Sequence, residues 1–445
     1  MPASQPLCYP RYDGQPTSNG VPIPPLLPLV PPRTFSTALY HNLPEPANVA
    51  NYRRTSHLVP AASPRSLTFT SPLREDATRS ERVDAKSLAK ALIDAKIDFE
   101  TGPAQRQYKG RSQATLWNCV DRYVRRSPPI DHRNRGITLF LTHATGSPRQ
   151  IWEPTLIRLF GHAQAVSSLL IDEIWSFESV QHGDSGVLND AELRDVFDWQ
   201  DQTRDIHNFV LHYLPTHCSA ASLPLHLEYI EARPEQRPII GIGHSYGGTT
   251  LIRAAIAKPE LFQRLILVEP MITPPTFTRG KGLNLLLWSA LGKPSQWSSR
   301  AHAKSDLSQS RVAKAWHPDV IDIFVKHGLV GCGDARAPDT VRLKTRPFDE
   351  AVVYCEWNVC YEAWTGLKDI PPGLSLHWIM SAKSNATTGG TAMTQETVWR
   401  RAENASNVRV DAGHLIVHEA PDELARELIK ALSGCPLVPL PKSQL

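Results

Sequence analysis

A serine lies at the centre of a glycine-rich turn at residues 243–248, which read Gly-His-Ser-Tyr-Gly-Gly. The apolar residues before it predict a short strand, and residues 249–257 carry apolar side chains at helical spacing. A strand, a G-x-S-x-G turn and a helix together are typical of a serine held as a nucleophile. The glycines fit, because such a turn strains the backbone and brings strand and helix close. Ser245 is the candidate nucleophile; the alternative is a capping serine in a glycine-rich turn.

A serine hydroxyl is a weak nucleophile and needs a positioned base, which is usually histidine. Of the 17 histidines, His414 follows the last predicted strand and precedes the closing helix. His418 lies at or near that helix, and His377 lies within a strand pattern that predicts a core position. The placement favours His414 as the base.

The base in turn needs a carboxylate that orients it. That carboxylate can follow either of two strands, and the later one ends in Ser-Ala-Lys-Ser-Asn, without an acid. The earlier strand, 264–268, runs directly into Glu269. Glu269 is therefore favoured, with Asp184 as the alternative. The resulting order Ser245, Glu269, His414 is the order expected of the α/β-hydrolase fold.

An oxyanion formed on the attacked carbonyl needs preorganised donors. We expect one from the backbone N–H of Tyr246, directly after the nucleophile. The other is expected from the loop at residues 143–146, most simply the N–H of Thr145. A serine at this turn predicts acyl transfer: hydrolysis of an ester, thioester or amide, or transfer to another acceptor.

Strands alternate with helices on both sides of a long interruption. This alternation predicts a mostly parallel sheet covered by helices, with a core at 83–270 and 374–434. The interruption at 271–373 predicts a helical lid inserted after the strand that follows the serine turn. Before the sheet, we expect a helix at 83–96 and two antiparallel leading strands at 97–100 and 116–124. The last helix is expected to begin at Pro421 and end at Gly434.

The two ends of the chain differ from the core in composition. Residues 1–75 hold 15 of the 38 prolines, which predicts a disordered or polyproline-like tail. Its arginines raise the alternative of a mitochondrial presequence, although the prolines oppose the amphipathic helix this needs. Within the last segment, 435–445, the ending Ser443-Gln444-Leu445 resembles a peroxisomal address. It predicts a peroxisomal location and an import receptor as partner, with the cytoplasm as the alternative.

The overall composition excludes several classes of protein. A net charge of +4 on 445 residues does not indicate nucleic-acid binding, and no apolar run approaches the ~20 residues that cross a membrane. The seven scattered cysteines lack a zinc-site pattern and predict reduced thiols. No secretory signal, metal or cofactor is predicted, and the oligomeric state is left open.

Several segments together resemble the fungal peroxisomal AB-hydrolases, a family that includes toxin-biosynthesis hydrolases and the acyl-CoA hydrolase of mycophenolic acid formation. The resemblance runs from about residue 95 to 435 and is carried by segments 142–146, 152–154, 172–175, 182–185, 198–205 and 241–248. It implies a small acyl substrate, an acyl-CoA thioester or lipophilic ester, and matches the family's nucleophile, acid and base to Ser245, Glu269 and His414. Glu269 stands where the best-known acyl-CoA hydrolase has aspartate, and Ala144 replaces a common glycine.

The lid and its surroundings supply candidates for substrate binding. The candidates for binding the acyl group are His143, Trp288 and Trp357. Alternatively, the two tryptophans pack in the apolar core of the lid. Three cations at helical spacing could hold CoA phosphates or simply form a solvated helix face: Arg300, Lys304 and Arg311. The alternative functions are a carboxylesterase, lipase or acyltransferase on the same triad, or a non-catalytic binding protein of this fold.

Overall fold

A nine-stranded sheet forms the centre of the protein, in the order β1-β2-β3-β6-β5-β7-β8-β12-β13. The computed structural model describes residues 8–30, 43–66, 73, 84–101, 115–126, 134–163, 169–219, 221–231, 239–278, 280–383, 388–433 and 438–439. The strands of this sheet are β1 (Ala47–Val49), β2 (Tyr52–Pro60), β3 (Trp117–Arg125), β5 (Ile137–Thr142), β6 (Ile171–Phe177), β7 (Ile239–His244), β8 (Arg264–Val268), β12 (Ser375–Ser381) and β13 (Ala405–Val410). Pairing is antiparallel from β1 to β6 and parallel from β6 to β13. The predicted mostly parallel sheet is confirmed.

Helices cover both faces of the sheet. They are α1 (Ala85–Thr101), α2 (Glu153–Ala163), α3 (Gly183–Leu188), α4 (Trp199–His212), α5 (Tyr246–Ala257), α6 (Gly280–Leu291), α7 (Arg300–Gln309), α8 (Pro318–His327), α9 (Pro347–Tyr354), α10 (Asn358–Gly366), α11 (Thr391–Val398), α12 (Ile416–Glu419) and α13 (Pro421–Ser433). Single 3-10 turns lie at Arg149–Trp152, Pro259–Leu261, Ala313–Ala315 and Leu367–Asp369. Two short ladders stand apart from the main sheet: β4 (Asn134–Arg135) with β14 (Val438–Pro439), and β9 (Gln296–Trp297) with β11 (Val341–Leu343) and β10 (Leu329–Gly331).

The alternation of side chains along each strand divides the core into two layers. In β5, Leu139 and Leu141 pack with α2 and α13, whereas Phe140 between them packs with α4 and α5 on the opposite face. Successive side chains of a strand point to opposite faces, so a strand buried on both faces is apolar at every position. This explains why three apolar residues, Leu139, Phe140 and Leu141, follow one another in the middle of β5.

The predicted lid lies between the end of β8 and the start of β12. It contains α6 to α10 and the small antiparallel sheet of β9, β10 and β11. Its buried residues join a third apolar cluster, in which Leu287 of α6 and Phe348 of α9 pack with Tyr246 at the start of α5. The lid therefore contacts the polypeptide directly beside the candidate nucleophile.

The predicted strand at 97–100 is wrong. These residues form the last turn of α1, whose buried side chains Leu88, Leu92, Lys96 and Phe99 continue at helical spacing. Lys96 breaks the apolar pattern in the sequence, but it is buried because it pairs with Glu356 of the lid at 2.8 Å. The second predicted leading strand corresponds to β3 and is antiparallel to both of its neighbours.

The prediction of a disordered tail over residues 1–75 is also wrong for the residues that the structure describes. β2 pairs with β3 along all nine of its residues. No proline lies between residues 47 and 59, so the average proline density of the region concealed a stretch able to form ladder hydrogen bonds. In the proline-rich part before it, backbone carbonyls accept hydrogen bonds from buried arginines. Arg253 donates to Pro24 O at 2.7 Å, and Arg204 donates to Pro28 O at 3.1 Å.

Several sequence predictions fall partly or wholly outside the described residues. The peroxisomal-type ending is one, and Gly434 as the end of α13 is another. In the described part of the chain, six cysteines are free thiols, and no helix is long and apolar enough to span a bilayer.

Candidate active site

The turn between β7 and α5 holds Ser245 in a backbone conformation that few residues adopt. Its φ is +53° and its ψ is −122°, so the side chain stands out from the turn between strand and helix. The flanking glycines are required by contact, because a Cβ on Gly243 would lie 2.6 Å from the Cα of Gly248, and one on Gly247 would lie 2.5 Å from the carbonyl oxygen of His143. A non-glycine residue at positive φ costs about 1–3 kcal/mol and persists where the surroundings hold it.

Three side chains from separate parts of the chain form one hydrogen-bonded row. Ser245 Oγ lies 2.9 Å from His414 Nε2, and His414 Nδ1 lies 3.1 Å from Glu269 Oε2. With the imidazole neutral, Nδ1–H donates to the carboxylate and Nε2 accepts from the serine hydroxyl. The three residues favoured from the sequence are thus brought together in the arrangement that a nucleophile, a base and an orienting acid require.

Glu269 is held firmly at the end of β8. Its side chain is fully buried, and its φ of +42° is the second positive value of a non-glycine residue at this site. The carboxylate oxygen that does not face His414, Oε1, accepts a hydrogen bond from the backbone N–H of Ser381 at 2.6 Å. Ser381 ends β12, the strand whose lack of an acid favoured Glu269. That strand end supplies a donor instead of a carboxylate.

Asp184, the alternative acid, lies in a different network. One of its oxygens accepts from Arg149 Nη1 at 2.9 Å and the other from Lys344 at 2.5 Å. Arg149 is fully buried and also binds Asp121 at 2.7 Å and Glu178 at 2.8 Å. These ion pairs join β3, the end of β6 and the lid behind the loop at residues 143–146. Asp184 therefore serves a buried charge network.

The two other candidate histidines have structural partners. His418 is buried, its Nε2 lies 3.0 Å from Ser147 Oγ, and its ring lies 4.6 Å from that of Trp316. Burial lowers the pKa of His418 to about 3, so it stays neutral at physiological pH. His377 on β12 lies 2.8 Å from Ser406 Oγ on the neighbouring strand, and burial lowers its pKa to about 4.

The loop at residues 143–146 is shaped by His143. The imidazole is buried; its Nε2 accepts from the backbone N–H of Ser179 at 3.1 Å, so its Nδ1–H donates to Ala144 O at 2.8 Å. Burial lowers the pKa of His143 to about 4 and keeps it neutral. Both ring nitrogens are occupied by the backbone, so His143 supports the loop. Its contact with substrate stays a prediction.

The two predicted oxyanion donors lie on adjoining segments. Tyr246 is the first residue of α5, so its N–H has no acceptor within the helix. Thr145 is half-buried in the turn at residues 143–146. The carbonyl oxygen of His143, in the same turn, lies close to Gly247. Both segments follow the ends of β5 and β7, which are adjacent and parallel, so they lie at the same edge of the sheet as Ser245 and Glu269.

The lid residues singled out from the sequence have different positions. Trp288 is 36% exposed on α6, with Lys86 Nζ 5.5 Å from its ring centroid, whereas Trp357 is half-buried against the cluster that contains Tyr246. Arg300 donates to Leu329 O at 3.2 Å and to other carbonyls at the end of α8, and Lys304 pairs with Asp322. The proposed phosphate cradle is therefore not supported, because two of its three cations bind the lid itself.

Sequence reasoning missed the residues that position this site. The Ser381 N–H, the Arg149 network and His244 are the examples. His244 precedes the nucleophile, and its Nε2–H donates to His414 O at 3.0 Å, which fixes the backbone of the base. The one signal in the sequence was His244, a polar residue inside an apolar strand. The other positioning contacts join segments that are distant in sequence, so no local pattern predicts them.

Comparison with known proteins identifies the family of the chain. A model of the alpha/beta hydrolase family matches residues 139–427. The chain belongs to the alpha/beta hydrolase family. The crystal structure of the peroxisomal alpha-beta-hydrolase Lpx1 from Saccharomyces cerevisiae superposes with a TM-score of 0.60 at 19% identity, covering 88% of this chain and 93% of that one. At this identity, the match shows a shared α/β-hydrolase fold.

Curated relatives match parts of this hydrolase. The type I acyl-CoA thioesterase mpaH of Penicillium brevicompactum is 27% identical over 251 residues, which cover 54% of this chain and 51% of the relative. The peroxisomal membrane protein LPX1 of Saccharomyces cerevisiae is 32% identical over 136 residues, 31% of each chain. The abhydrolase domain-containing protein ACTT2 of Alternaria alternata is 35% identical over 95 residues, 21% of this chain and 34% of the relative. The chain thus spans about half the length of the thioesterase it matches, and the resemblance to fungal AB-hydrolases is confirmed.

Proposed function

We propose that this hydrolase cleaves an acyl-CoA thioester or a related lipophilic ester by nucleophilic catalysis at Ser245. The observation that carries the proposal is the row of hydrogen bonds from Ser245 through His414 to Glu269. Such a row activates a hydroxyl that is otherwise a weak nucleophile at neutral pH.

In the first half-reaction, Ser245 Oγ attacks the acyl carbonyl while its proton passes to His414 Nε2. The carbonyl oxygen becomes an oxyanion that accepts hydrogen bonds from the N–H groups of Tyr246 and Thr145. The tetrahedral intermediate collapses with cleavage of the carbon–sulfur or carbon–oxygen bond, and the imidazolium returns its proton to the leaving thiolate or alkoxide. Water then attacks the acyl-enzyme with His414 as base, which releases the acid and restores the serine.

Glu269 stabilises the imidazolium that forms in both halves and keeps the imidazole in the required tautomer. Its second oxygen is occupied by the Ser381 N–H, so the carboxylate is fixed toward His414. Glutamate is one methylene longer than aspartate, and the positive φ at this residue accompanies that longer side chain at the end of β8.

The apolar cluster beside the nucleophile supports an acyl substrate. Tyr246 packs among buried side chains of the lid and of the loop before α4, and Trp357 lies at the edge of the same cluster. Ligand pockets are mostly lined by apolar side chains with a few placed polar groups, which is why an apolar neighbourhood of the nucleophile favours an acyl group. The name of the mpaH relative, an acyl-CoA thioesterase, supports CoA as the leaving group. We therefore infer the thioester as the preferred substrate.

Comparison of matched substrates tests this preference. We expect the purified protein to hydrolyse an acyl-CoA with a higher kcat/KM than the p-nitrophenyl ester of the same acid, after correction for the intrinsic hydrolysis rates. Binding energy from the CoA arm can orient the reacting carbonyl, and each charge-assisted contact contributes about 1.5–3 kcal/mol. Equal corrected values would instead favour a carboxylesterase or lipase, and accumulation of a transfer product with an added alcohol would favour an acyltransferase.

We also propose that the hydrolase is peroxisomal. The support is the ending Ser443-Gln444-Leu445, together with the name of the Lpx1 relative. A fluorescent protein fused at the N-terminus should enter peroxisomes and become cytosolic when these three residues are deleted, because the import receptor reads the C-terminus. Peroxisomal import that survives the deletion would contradict the proposal, as would mitochondrial import of a second fusion that carries the fluorescent protein after residues 1–75.

A further inference from the structure

A carboxylate of the lid lies against the loop that holds one of the predicted oxyanion donors. Glu350 is buried and lies in the first turn of α9. Gly146 directly follows Thr145, and a Cβ built on Gly146 would lie 2.8 Å from Glu350 Oε2 and 3.1 Å from Glu350 Oε1. Both carboxylate oxygens therefore border the turn that contains the predicted donor, the Thr145 N–H.

A lysine of the lid offsets the charge of this carboxylate. Lys293, which follows the end of α6, forms an ion pair with Glu350. Its charge also acts on the buried ring of His182: burial, His143 and Lys293, in this order of size, lower the pKa of His182 well below its usual value. The ring centroids of His182 and His143 are 4.9 Å apart, and His143 supports the loop at residues 143–146. The charge of Lys293 therefore reaches the groups that build this loop.

The balance of these two charges bears on the reaction proposed above. Attack on the acyl carbonyl forms an oxyanion next to the N–H groups of Tyr246 and Thr145. A carboxylate that borders the same turn repels this oxyanion unless a cation offsets its charge, and a buried carboxylate is screened by salt less than an exposed one. The first turn of a helix favours a carboxylate, because the first backbone N–H groups carry partial positive charge. Glu350 therefore suits the start of α9 but opposes the oxyanion.

We propose that Lys293 is a charge-balancing residue of the candidate active site, which offsets Glu350 so that the oxyanion can form beside this turn. The inference rests on the proposed attack by Ser245. Lys293 acts through its electric field on the transition state, without contact to the reacting atoms. The alternative is an ion pair that only joins α6 to α9, whose side chains Leu287 and Phe348 already belong to one apolar cluster. The two interpretations predict opposite effects for a substitution of Glu350.

Single and double substitutions in the full-length protein test the proposal. Lys293→Met leaves the repelling carboxylate without its cation and should lower kcat for acyl-CoA hydrolysis by about tenfold at constant KM, because the oxyanion exists only in the transition state. Glu350→Gln removes the repelling charge and keeps the cation, so it should raise kcat by about threefold. The double variant should recover to within about threefold of the wild-type kcat, although it lacks the ion pair altogether.

A second readout and a control variant make the result specific. The rate of Ser245 labelling by a fluorophosphonate should change in the same directions, because its phosphoryl oxygen also needs the oxyanion donors. This rate decides the proposal even if acyl-CoA is not the substrate. Lys304→Met breaks another ion pair of the lid, with Asp322, and should leave both rates unchanged. Thermal unfolding checks that each variant is folded. Similar losses from both single substitutions without recovery in the double variant would overturn the proposal, as would wild-type rates for Lys293→Met.

Discussion

Ser245→Ala is expected to lower kcat for acyl-CoA hydrolysis by about 10⁴-fold or more, with little change in thermal stability. The hydroxyl is the attacking atom, and only the oxyanion donors and substrate binding would remain to accelerate attack by water. The serine makes few contacts that alanine would lose, since its Oγ bonds to His414 alone among the described side chains. Initial rates with a thiol reagent that reports free CoA provide the measurement.

His414→Ala is expected to cause a loss of similar size, and the double variant should be little worse than either single variant. Residues that act as one catalytic unit are strongly non-additive, because removing one member abolishes the function of the others. His418→Gln is the matched control, because its imidazole is buried beside the same loop and bonds to Ser147 rather than to the nucleophile. Additive losses from Ser245→Ala and His414→Ala would show that the two side chains do not act together.

Glu269→Gln is expected to lower kcat by about 10³–10⁴-fold. In this variant the amide nitrogen faces His414 Nδ1 if the remaining oxygen keeps the Ser381 N–H, so the imidazole must adopt the other tautomer. Nε2 then carries a proton and cannot accept the one from Ser245. Steady-state kinetics at pH 7 to 8, with KM determined separately, would show a loss confined to kcat.

Asp184→Asn is the comparison that decides between the two acids. It leaves Lys344 with a neutral partner in the interior, whereas Arg149 keeps Asp121 and Glu178. The expected loss is therefore in stability, up to about 3–5 kcal/mol. The folded fraction should retain kcat within about tenfold, because Asp184 does not bond to His414. If Asp184→Asn were folded but inactive while Glu269→Gln kept near wild-type rates, Glu269 would be misassigned as the acid.

The parts of this site that could be predicted from sequence are those encoded by consecutive residues. Ser245 lies in a strand, turn and helix that follow one another directly, and His414 follows a strand at the expected end of the chain. Glu269 was identified because only two strand ends were eligible and one lacked an acid. In each case, the parallel sheet brings together strand ends whose order along the chain is already known.

What could not be predicted depends on contacts between distant segments. Arg149 is buried because carboxylates from β3 and the end of β6 surround it, and Lys96 is buried because the lid supplies Glu356. Neither cation is distinguishable in sequence from a surface residue. The N-terminal strands were missed for another reason: the proline content of a long window was taken to describe all of it, although the residues of β2 up to Val59 contain none.

Covalent labelling by a fluorophosphonate probe, read by intact-protein mass, tests most directly whether Ser245 is an activated nucleophile. The phosphorus forms a bond to Ser245 Oγ as fluoride leaves, and the serine proton passes to His414. We expect one adduct per chain on the wild type, mapped by peptide sequencing to residue 245, no adduct on Ser245→Ala, and strongly slowed labelling of Glu269→Gln. Unlabelled wild type that is folded, or equal labelling of wild type and Ser245→Ala, would contradict the account.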